Sequence, residues 1–150
     1  IRDLVRSRGL GDVYKRQIIF IAGGTGFGPI KAIIEHLILM NSTRTVYLYW
    51  GVRTEQDFYL NLPHEWSEKH ANINFVPVLS EPDSSWNGKS GFVHETVMND
   101  FENLIDFEVY ACGPPVMVKA AAKSCIENKL EKENFFSDSF EYANVSTDND

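Results

Sequence analysis

The sequence predicts an α/β fold, a parallel five-stranded sheet with helices on both faces. Apolar runs alternate with segments of helical periodicity along most of the 150 residues, and this is the pattern of strand–helix–strand units. The apolar run at residues 18–22 fits a strand buried on both faces. Two predicted strands end in glycine-containing turns, at residues 23–28 and 112–115. In a parallel sheet such turns meet at the carboxyl edge, where ligands bind.

The first unit is a strand, a glycine turn and a helix. The strand leads into GGTGFG at residues 23–28, and Pro29 suits a first helical turn because its missing N–H would have no partner there. One helix face is apolar and carries Ile30, Ile33, Ile34, Leu37 and Ile38. A glycine turn before a helix N-terminus forms an anion site, most often for nucleotide phosphates. The alternative is a tight turn that binds no ligand.

The glycine turn differs from the dinucleotide fingerprint, which is GxGxxG with an acidic residue about 20 positions later. Residues 24–28 read GTGFG, so the third glycine comes one residue early. The next strand ends in WGVR at residues 50–53, with no carboxylate before Glu55. The turn therefore predicts a phosphate loop of another kind.

The remaining elements follow in order. Further strands are predicted at residues 44–50, 73–79 (interrupted by Pro77), 107–111 and 134–137. Helices are predicted after the N-cap Thr54, at residues 65–69, at residues 93–98 and after residue 115. The last helix has an apolar face of Val118, Ala121, Ala122, Cys125 and Ile126. Residues 81–91 are predicted to form a loop, and GKS at 88–90 a turn within it.

Composition argues against several functional classes. The chain is 43% hydrophobic and 13% aromatic, as a packed globular protein is. A net charge of -7 argues against binding nucleic acid or an anionic membrane, and no apolar run approaches the ~20 residues of a membrane span. The four histidines lack the spacing of a metal site. We therefore expect no metal, no nucleic-acid partner and no membrane association.

The two cysteines are too few for a disulfide framework, which predicts a cytoplasmic location. Cys112 ends a strand, and Cys125 lies about three turns into the next helix, too far for a bridge. Position leaves two roles open for Cys112, contact with a bound cofactor or filling of the turn. Cys125 falls on a buried helix face and is predicted to belong to the core.

The two ends of the chain differ from its centre. Residues 1–16 hold five of the 14 basic residues and show no helical or strand period. They resemble translated adapter sequence, so we expect a non-native leader. Residues 141–150 are predicted to form a mobile acidic tail. The domain itself is then residues 17–140.

Five signatures within residues 17–140 resemble, in order, those of the ferredoxin–NADP reductase superfamily. They are GTGFGP at 24–29, YWGVR at 49–53 with Asp57, GKSGFV at 88–93, VYACGPPVM at 109–117 and DSF at 138–140. The flavin reductase and oxygenase reductase branch is the most similar. The resemblance implies a Rossmann-like domain that binds NADH or NADPH and passes hydride to FAD or FMN.

The resemblance also implies roles for individual residues. Cys112 would lie against the nicotinamide and Phe140 near the flavin, as the catalytic pair. The cofactor-binding residues would be Gly24, Thr25, Gly26, Gly28, Pro29, Gly51, Arg53, Glu81, Gly113, Pro114, Pro115 and Met117. NADP-preferring relatives have arginine where this chain has Glu81, and a carboxylate should repel the 2′-phosphate. NADH is therefore the expected donor.

The flavin-binding β-barrel that precedes this domain in the superfamily has no counterpart in the sequence. We expect it upstream, with an electron acceptor downstream of the flavin that is free flavin, an iron–sulfur centre or an oxygenase. A nucleotide-binding module without hydride transfer is the alternative function. Cys112 and Phe140 favour the reductase, because a binding module needs neither.

Overall fold

The computed structural model describes residues 16–138, which form one parallel α/β sheet domain. Six strands are present: β1 Gln17–Gly23, β2 Val46–Val52, β3 Ile73–Leu79, β4 Lys89–Ser90, β5 Phe107–Cys112 and β6 Phe135–Ser137. Their order across the sheet is β4-β3-β2-β1-β5-β6, and every neighbouring pair is parallel. The predicted fold class is confirmed.

Helices cover both faces of the sheet, as predicted. They are α1 Phe27–Leu39, α2 Leu62–Lys69, α3 Val93–Asp100 and α4 Pro115–Glu127. Three-residue 3₁₀ helices occur at Gly24–Gly26, Glu55–Asp57 and Lys132–Asn134. The helices α1 and α2 pack on one face, and α3 and α4 pack on the other.

The central strand β1 divides its side chains between two hydrophobic cores. Ile18 and Phe20 face α1 and α2, whereas Ile19 and Ile21 face α3 and α4. All four are 0% exposed, and burying such a side chain is worth about 1.5–3 kcal/mol. An apolar run without polar alternation is therefore what a central parallel strand requires.

The sheet has six strands rather than the five predicted. The additional strand β4 lies in the segment that we predicted to be a loop, and its Lys89 and Ser90 pair with Val78 and Leu79. Two residues are too few to show a strand period, so this strand could not be recognised from the pattern. β3 also continues through Pro77. The backbone nitrogen of Pro77, which carries no hydrogen, faces the side of β3 where β4 lies. Because β4 pairs with β3 only at Val78 and Leu79, no hydrogen bond is lost at Pro77.

The apolar face predicted for α4 is partly wrong. Val118, Ala121 and Cys125 are buried, but Ile126 is 42% exposed. At about 100° per residue, Ile126 lies roughly 80° from Val118 around the helix, outside the narrow buried stripe. The other predicted strands and helices occur within a few residues of their expected bounds.

Some predictions cannot be compared with the structure. Phe140, residues 1–15 of the expected 1–16 leader and the acidic tail at residues 141–150 lie outside the described residues. Among residues 16–138, no helix has both the length and the apolar character needed to cross a bilayer.

Candidate functional site

A cavity of about 800 Å³ lies at the carboxyl edge of the sheet, between the turn after β1 and the starts of α3 and α4. We call it the carboxyl-edge cavity. Both predicted glycine turns contribute to it, so their expected convergence is confirmed. Six of the residues predicted to bind cofactor line it: Gly24, Thr25, Gly51, Arg53, Pro114 and Met117. The other six do not: Gly26, Gly28, Pro29, Glu81, Gly113 and Pro115.

The turn after β1 is held from the core side by an aromatic residue. Gly24 has φ +55, a conformation that favours glycine, and its carbonyl oxygen accepts a hydrogen bond of 2.8 Å from the Trp50 indole. The Trp50 ring stacks on Phe27, with centroids 4.2 Å apart. Gly24 and Thr25 are exposed above this support. The turn therefore presents its backbone to the cavity from a fixed base, as a phosphate loop must.

Gly26 and Gly113 have packing roles rather than positions on the cavity surface. A Cβ on Gly26 would overlap the carbonyl group of Cys112, and a Cβ on Gly113 would overlap the Met117 methyl group. The absence of both Cβ atoms brings the turn after β1 against the turn after β5. These glycines therefore allow the two turns to share one cavity.

Cys112 ends β5, as predicted, but its side chain does not line the cavity. It is 1% exposed, and its thiol donates a hydrogen bond of 3.0 Å to the backbone oxygen of Asp138. Partial burial raises the pKa of the Asp138 carboxyl. The thiol is thus buried in the core and hydrogen-bonded to the last described residue.

Sequence reasoning missed one wall of the cavity. Residues 91–95, which follow β4 and begin α3, all line it, and we call them the 91–95 wall. The GKSGFV segment was the available signal, but the unrecognised strand β4 left its position in the fold unknown. Among the described residues, His94 Nδ1 is the buried side-chain polar atom without a hydrogen-bond partner.

The charges at the cavity are few and mixed. Arg53 is the cationic side chain among the lining residues, and Asp57 and Glu95 are the carboxylates. A diphosphate would therefore depend on Arg53 and on backbone N–H groups rather than on a cluster of cations. Within residues 16–138, no group of three or more histidine, cysteine or acidic side chains could hold a metal ion.

Comparison with known proteins identifies relatives of this domain. A family profile described as "Oxidoreductase NAD-binding domain" matches residues 20–123. The CDP-6-deoxy-L-threo-D-glycero-4-hexulose-3-dehydrase reductase of Yersinia pestis is 47% identical over 145 residues, which are 93% of this chain and 44% of that protein. The NAD(P)H-flavin reductase of Vibrio harveyi is 38% identical over 130 residues, 85% of this chain and 55% of that protein.

A solved structure shares the fold. The crystal structure of Amycolatopsis cytochrome P450 reductase GcoB superimposes with a TM-score of 0.76 at 31% identity, covering 83% of this chain and 38% of that one. The chain thus spans about half, or less, of the length of these relatives.

Proposed function

Since this chain belongs to the oxidoreductase NAD-binding domain family, we propose that it is the nucleotide-binding domain of a flavin-dependent reductase. NADH or NADPH would bind in the carboxyl-edge cavity, and its hydride would pass to FAD or FMN held elsewhere in the protein. The observation that carries the proposal is the shared lining of one cavity by Gly24 and Thr25 from one turn and Pro114 and Met117 from the other. A cavity of about 800 Å³ is also of the size that cofactors require.

The residues at the cavity would divide the work of binding. The Gly24–Thr25 backbone would donate N–H groups to the diphosphate, supported by the guanidinium of Arg53. Met117 and Pro114, in the first turn of α4 and just before it, would pack against the nicotinamide half and exclude water. Bound nicotinamide supplies the hydride, and the protein's part is to orient it towards the flavin.

Cys112 would have a positioning role beside the nicotinamide rather than act as a nucleophile. Its thiol is buried and donates to the Asp138 backbone oxygen, 3.0 Å away, so contact with the nicotinamide would require a local rearrangement around Cys112. Phe140, which is predicted to pack near the flavin, lies two residues after Asp138 in the sequence. Both residues favour hydride transfer over a module that only binds nucleotide.

NADH is the proposed donor. Ser80, at the end of β3, lines the cavity, and the N–H of the next residue, Glu81, donates to the Arg53 carbonyl at 2.8 Å. Glu81 is exposed, and the place that the resemblance gives it would set a carboxylate beside the 2′-phosphate of NADP, which it would repel. Arg53 would oppose this preference for NADH, because its guanidinium can pair with the 2′-phosphate of NADPH.

Relatives at this level of identity suggest a protein as the electron acceptor. The Yersinia pestis protein, named as the reductase of a dehydrase, is 47% identical, whereas the Vibrio harveyi flavin reductase is 38% identical. We favour an enzyme acceptor over free flavin for that reason.

The two thiols of the described chain form no disulfide, in keeping with the reducing cytoplasm that we propose as its location.

The proposal is tested by calorimetric titration of the 150-residue chain with NAD and with NADP. We expect saturable binding of both, with NAD bound more tightly. A folded chain that binds neither would contradict the proposal. Joining the chain to a flavin-binding partner domain then allows stopped-flow measurement of flavin reduction, which should require NADH and should slow when Cys112 is replaced by alanine.

A further inference from the structure

One residue of the 91–95 wall, Val93, is buried in the core, and the other four are exposed or half-buried. The wall follows β4, which pairs with β3 through only two residues. Beyond that pairing, the N–H of Gly91 donates to the Leu79 carbonyl at 2.9 Å. Val93 packs so closely over Gly51 that a Cβ there would be 2.9 Å from the Cβ of Val93. Contacts made by Lys89 and Asp100, on either side of the wall, therefore add to the packing of Val93 in fixing its position.

The wall lies within residues 89–100, which run from β4 to the end of α3. The two ends of this segment meet at the carboxylate of Asp100. Asp100, the last residue of α3, pairs through Oδ1 with Lys89 Nζ at 3.0 Å, and Lys89 lies in β4 just before the wall. The other oxygen, Oδ2, accepts a hydrogen bond of 2.7 Å from the hydroxyl of Tyr49. Tyr49 belongs to β2 and is 1% exposed. One side chain thus joins the start and the end of the segment to a buried strand.

The placement of Asp100 contradicts its local preference. A carboxylate at a helix C-terminus opposes the helix dipole, and a basic residue is favoured there. The tertiary contacts with Lys89 and Tyr49 compensate for this cost. Burial, together with the hydrogen bond to Asp100, raises the pKa of the Tyr49 phenol, so the hydroxyl remains a donor at neutral pH. A residue that breaks a local rule and is fully engaged elsewhere is a candidate for a functional role.

We infer that Asp100 is a positioning residue for nucleotide binding, because it joins Lys89 to Tyr49 and so holds the 91–95 wall against the cavity. The inference rests on the proposed function, which supplies the nucleotide. Lys89, Tyr49 and Asp100 do not line the cavity, so their effect is exerted through the wall. If the wall occupies its present position for only a fraction of the time, the apparent affinity is reduced to that fraction of its full value.

The test compares two ion pairs of equal length. Lys89→Met removes the 3.0 Å pair with Asp100, and Lys31→Met removes the 3.0 Å pair with Glu35 on α1. Both pairs are partly exposed, and neither lysine lines the cavity. We expect Lys89→Met to weaken NAD binding by about 2- to 5-fold, the size of a lost surface pair. Lys31→Met should have no effect, and Lys89→Arg should restore binding.

Asp100→Asn separates positioning from simple charge. If only electrostatics mattered, removing a carboxylate would tighten binding of an anionic nucleotide. The positioning role predicts the opposite, weaker NAD binding together with faster amide hydrogen exchange at residues 91–95. Amide hydrogen exchange at residues 91–95 is measured without ligand, so it tests the role of Asp100 even if the unchanged chain does not bind NAD. Failure of the unchanged chain to bind NAD would contradict the proposed function and not the contact made by Asp100. Unchanged exchange in both Lys89→Met and Asp100→Asn would overturn the inference.

Discussion

The indole nitrogen of Trp50 donates a hydrogen bond to the carbonyl oxygen of Gly24 across 2.8 Å. Trp50 is 0% exposed and lies in β2, whereas Gly24 begins the turn after β1. The bond connects the core beneath α1 to the backbone that we propose holds the diphosphate. The shape of this turn therefore depends on a buried aromatic residue as well as on its glycines.

Replacing Trp50 by phenylalanine tests that dependence. Phenylalanine retains an aromatic ring beside Phe27 but cannot donate to Gly24, so the turn loses one anchor. We expect NAD affinity to fall about 5-fold, corresponding to one hydrogen bond of about 1 kcal/mol, as measured by calorimetry. Trp66→Phe is the control, because Trp66 is also buried near Phe27, whereas the indole that donates to Gly24 is that of Trp50. Equal losses in the two variants would contradict a specific role for the bond.

Two glycines of the same turn should respond oppositely to alanine. A Cβ on Gly26 would overlap the Cys112 carbonyl, whereas a Cβ on Gly28 would have no atom within 4 Å. Gly26→Ala should therefore lower the free energy of unfolding by about 3 kcal/mol or more, as overpacking against backbone does. Gly28 lies in the first turn of α1, and Gly28→Ala should raise it by up to about 1 kcal/mol. Urea unfolding measures both, and a destabilised Gly28→Ala would show that this position needs glycine.

The elements predicted correctly from the sequence are the long ones with a clear hydrophobic pattern. Strand β1, with its continuous apolar run, and α1, with a full apolar face, occur where they were expected. The profile match over residues 20–123 and the relatives confirm the resemblance to the reductase superfamily. Both glycine turns were also placed correctly, because the carboxyl edge of a parallel sheet is fixed by topology.

The site was harder to predict because its details depend on tertiary contacts. The 91–95 wall follows a strand of only two residues, which is too short to show a strand period. Gly26 was expected to hold the diphosphate and Gly113 to shape the groove, and the structure adds that a Cβ on Gly26 would meet the Cys112 carbonyl and a Cβ on Gly113 the Met117 methyl group. A glycine in a motif indicates that a Cβ is excluded, and the sequence does not say which neighbour excludes it.

The buried ion pair at the amino edge should support stability without affecting the site. Arg44 Nη2 lies 2.8 Å from Glu108 Oε1, with side chains 5% and 1% exposed. Glu108→Gln removes this buried carboxylate from the Arg44 guanidinium and should cost about 3–5 kcal/mol of unfolding free energy. The double replacement Arg44→Met with Glu108→Leu should cost less, because no buried charge remains. Urea unfolding compares them, and NAD affinity of the folded variants should be unchanged at the opposite edge.

Replacing Glu81 by arginine should change the preference between the two nucleotides. In the proposed binding mode, the carboxylate that would disfavour the 2′-phosphate is removed and a guanidinium takes its place, at a residue whose backbone N–H donates to the Arg53 carbonyl. We expect NADP affinity to rise by about 10-fold or more, since a charge-assisted contact of about 1.5–3 kcal/mol becomes available. NAD affinity should change little. Parallel titrations with both nucleotides measure the ratio, and equal gains for NAD and NADP would place Glu81 away from the 2′ position.

Cys125 should make the protein less stable at alkaline pH. Burial in the core beneath α4 raises the pKa of its thiol from 9.0 to about 12. Between these values the unfolded chain loses the thiol proton and the folded chain keeps it. Ionisation therefore favours the unfolded state, and the stabilising contribution, fully present below pH 9, is lost as pH rises towards 12. The free energy of unfolding should fall by up to about 1.4 kcal/mol per pH unit in this window.

The Cys125→Ala variant isolates this effect from other groups that titrate in the same range. Tyr49, whose pKa is also raised by burial, is present in both proteins, so its contribution cancels in the difference. Urea unfolding at several pH values from 8 to 11 should show a steeper decline for the unchanged chain than for Cys125→Ala. The absolute stability of the variant is unimportant here, because only the slope reports the thiol. Parallel slopes would mean that Cys125 ionises in the folded protein as readily as in the unfolded chain, and that the thiol is reached by solvent despite its place in the core.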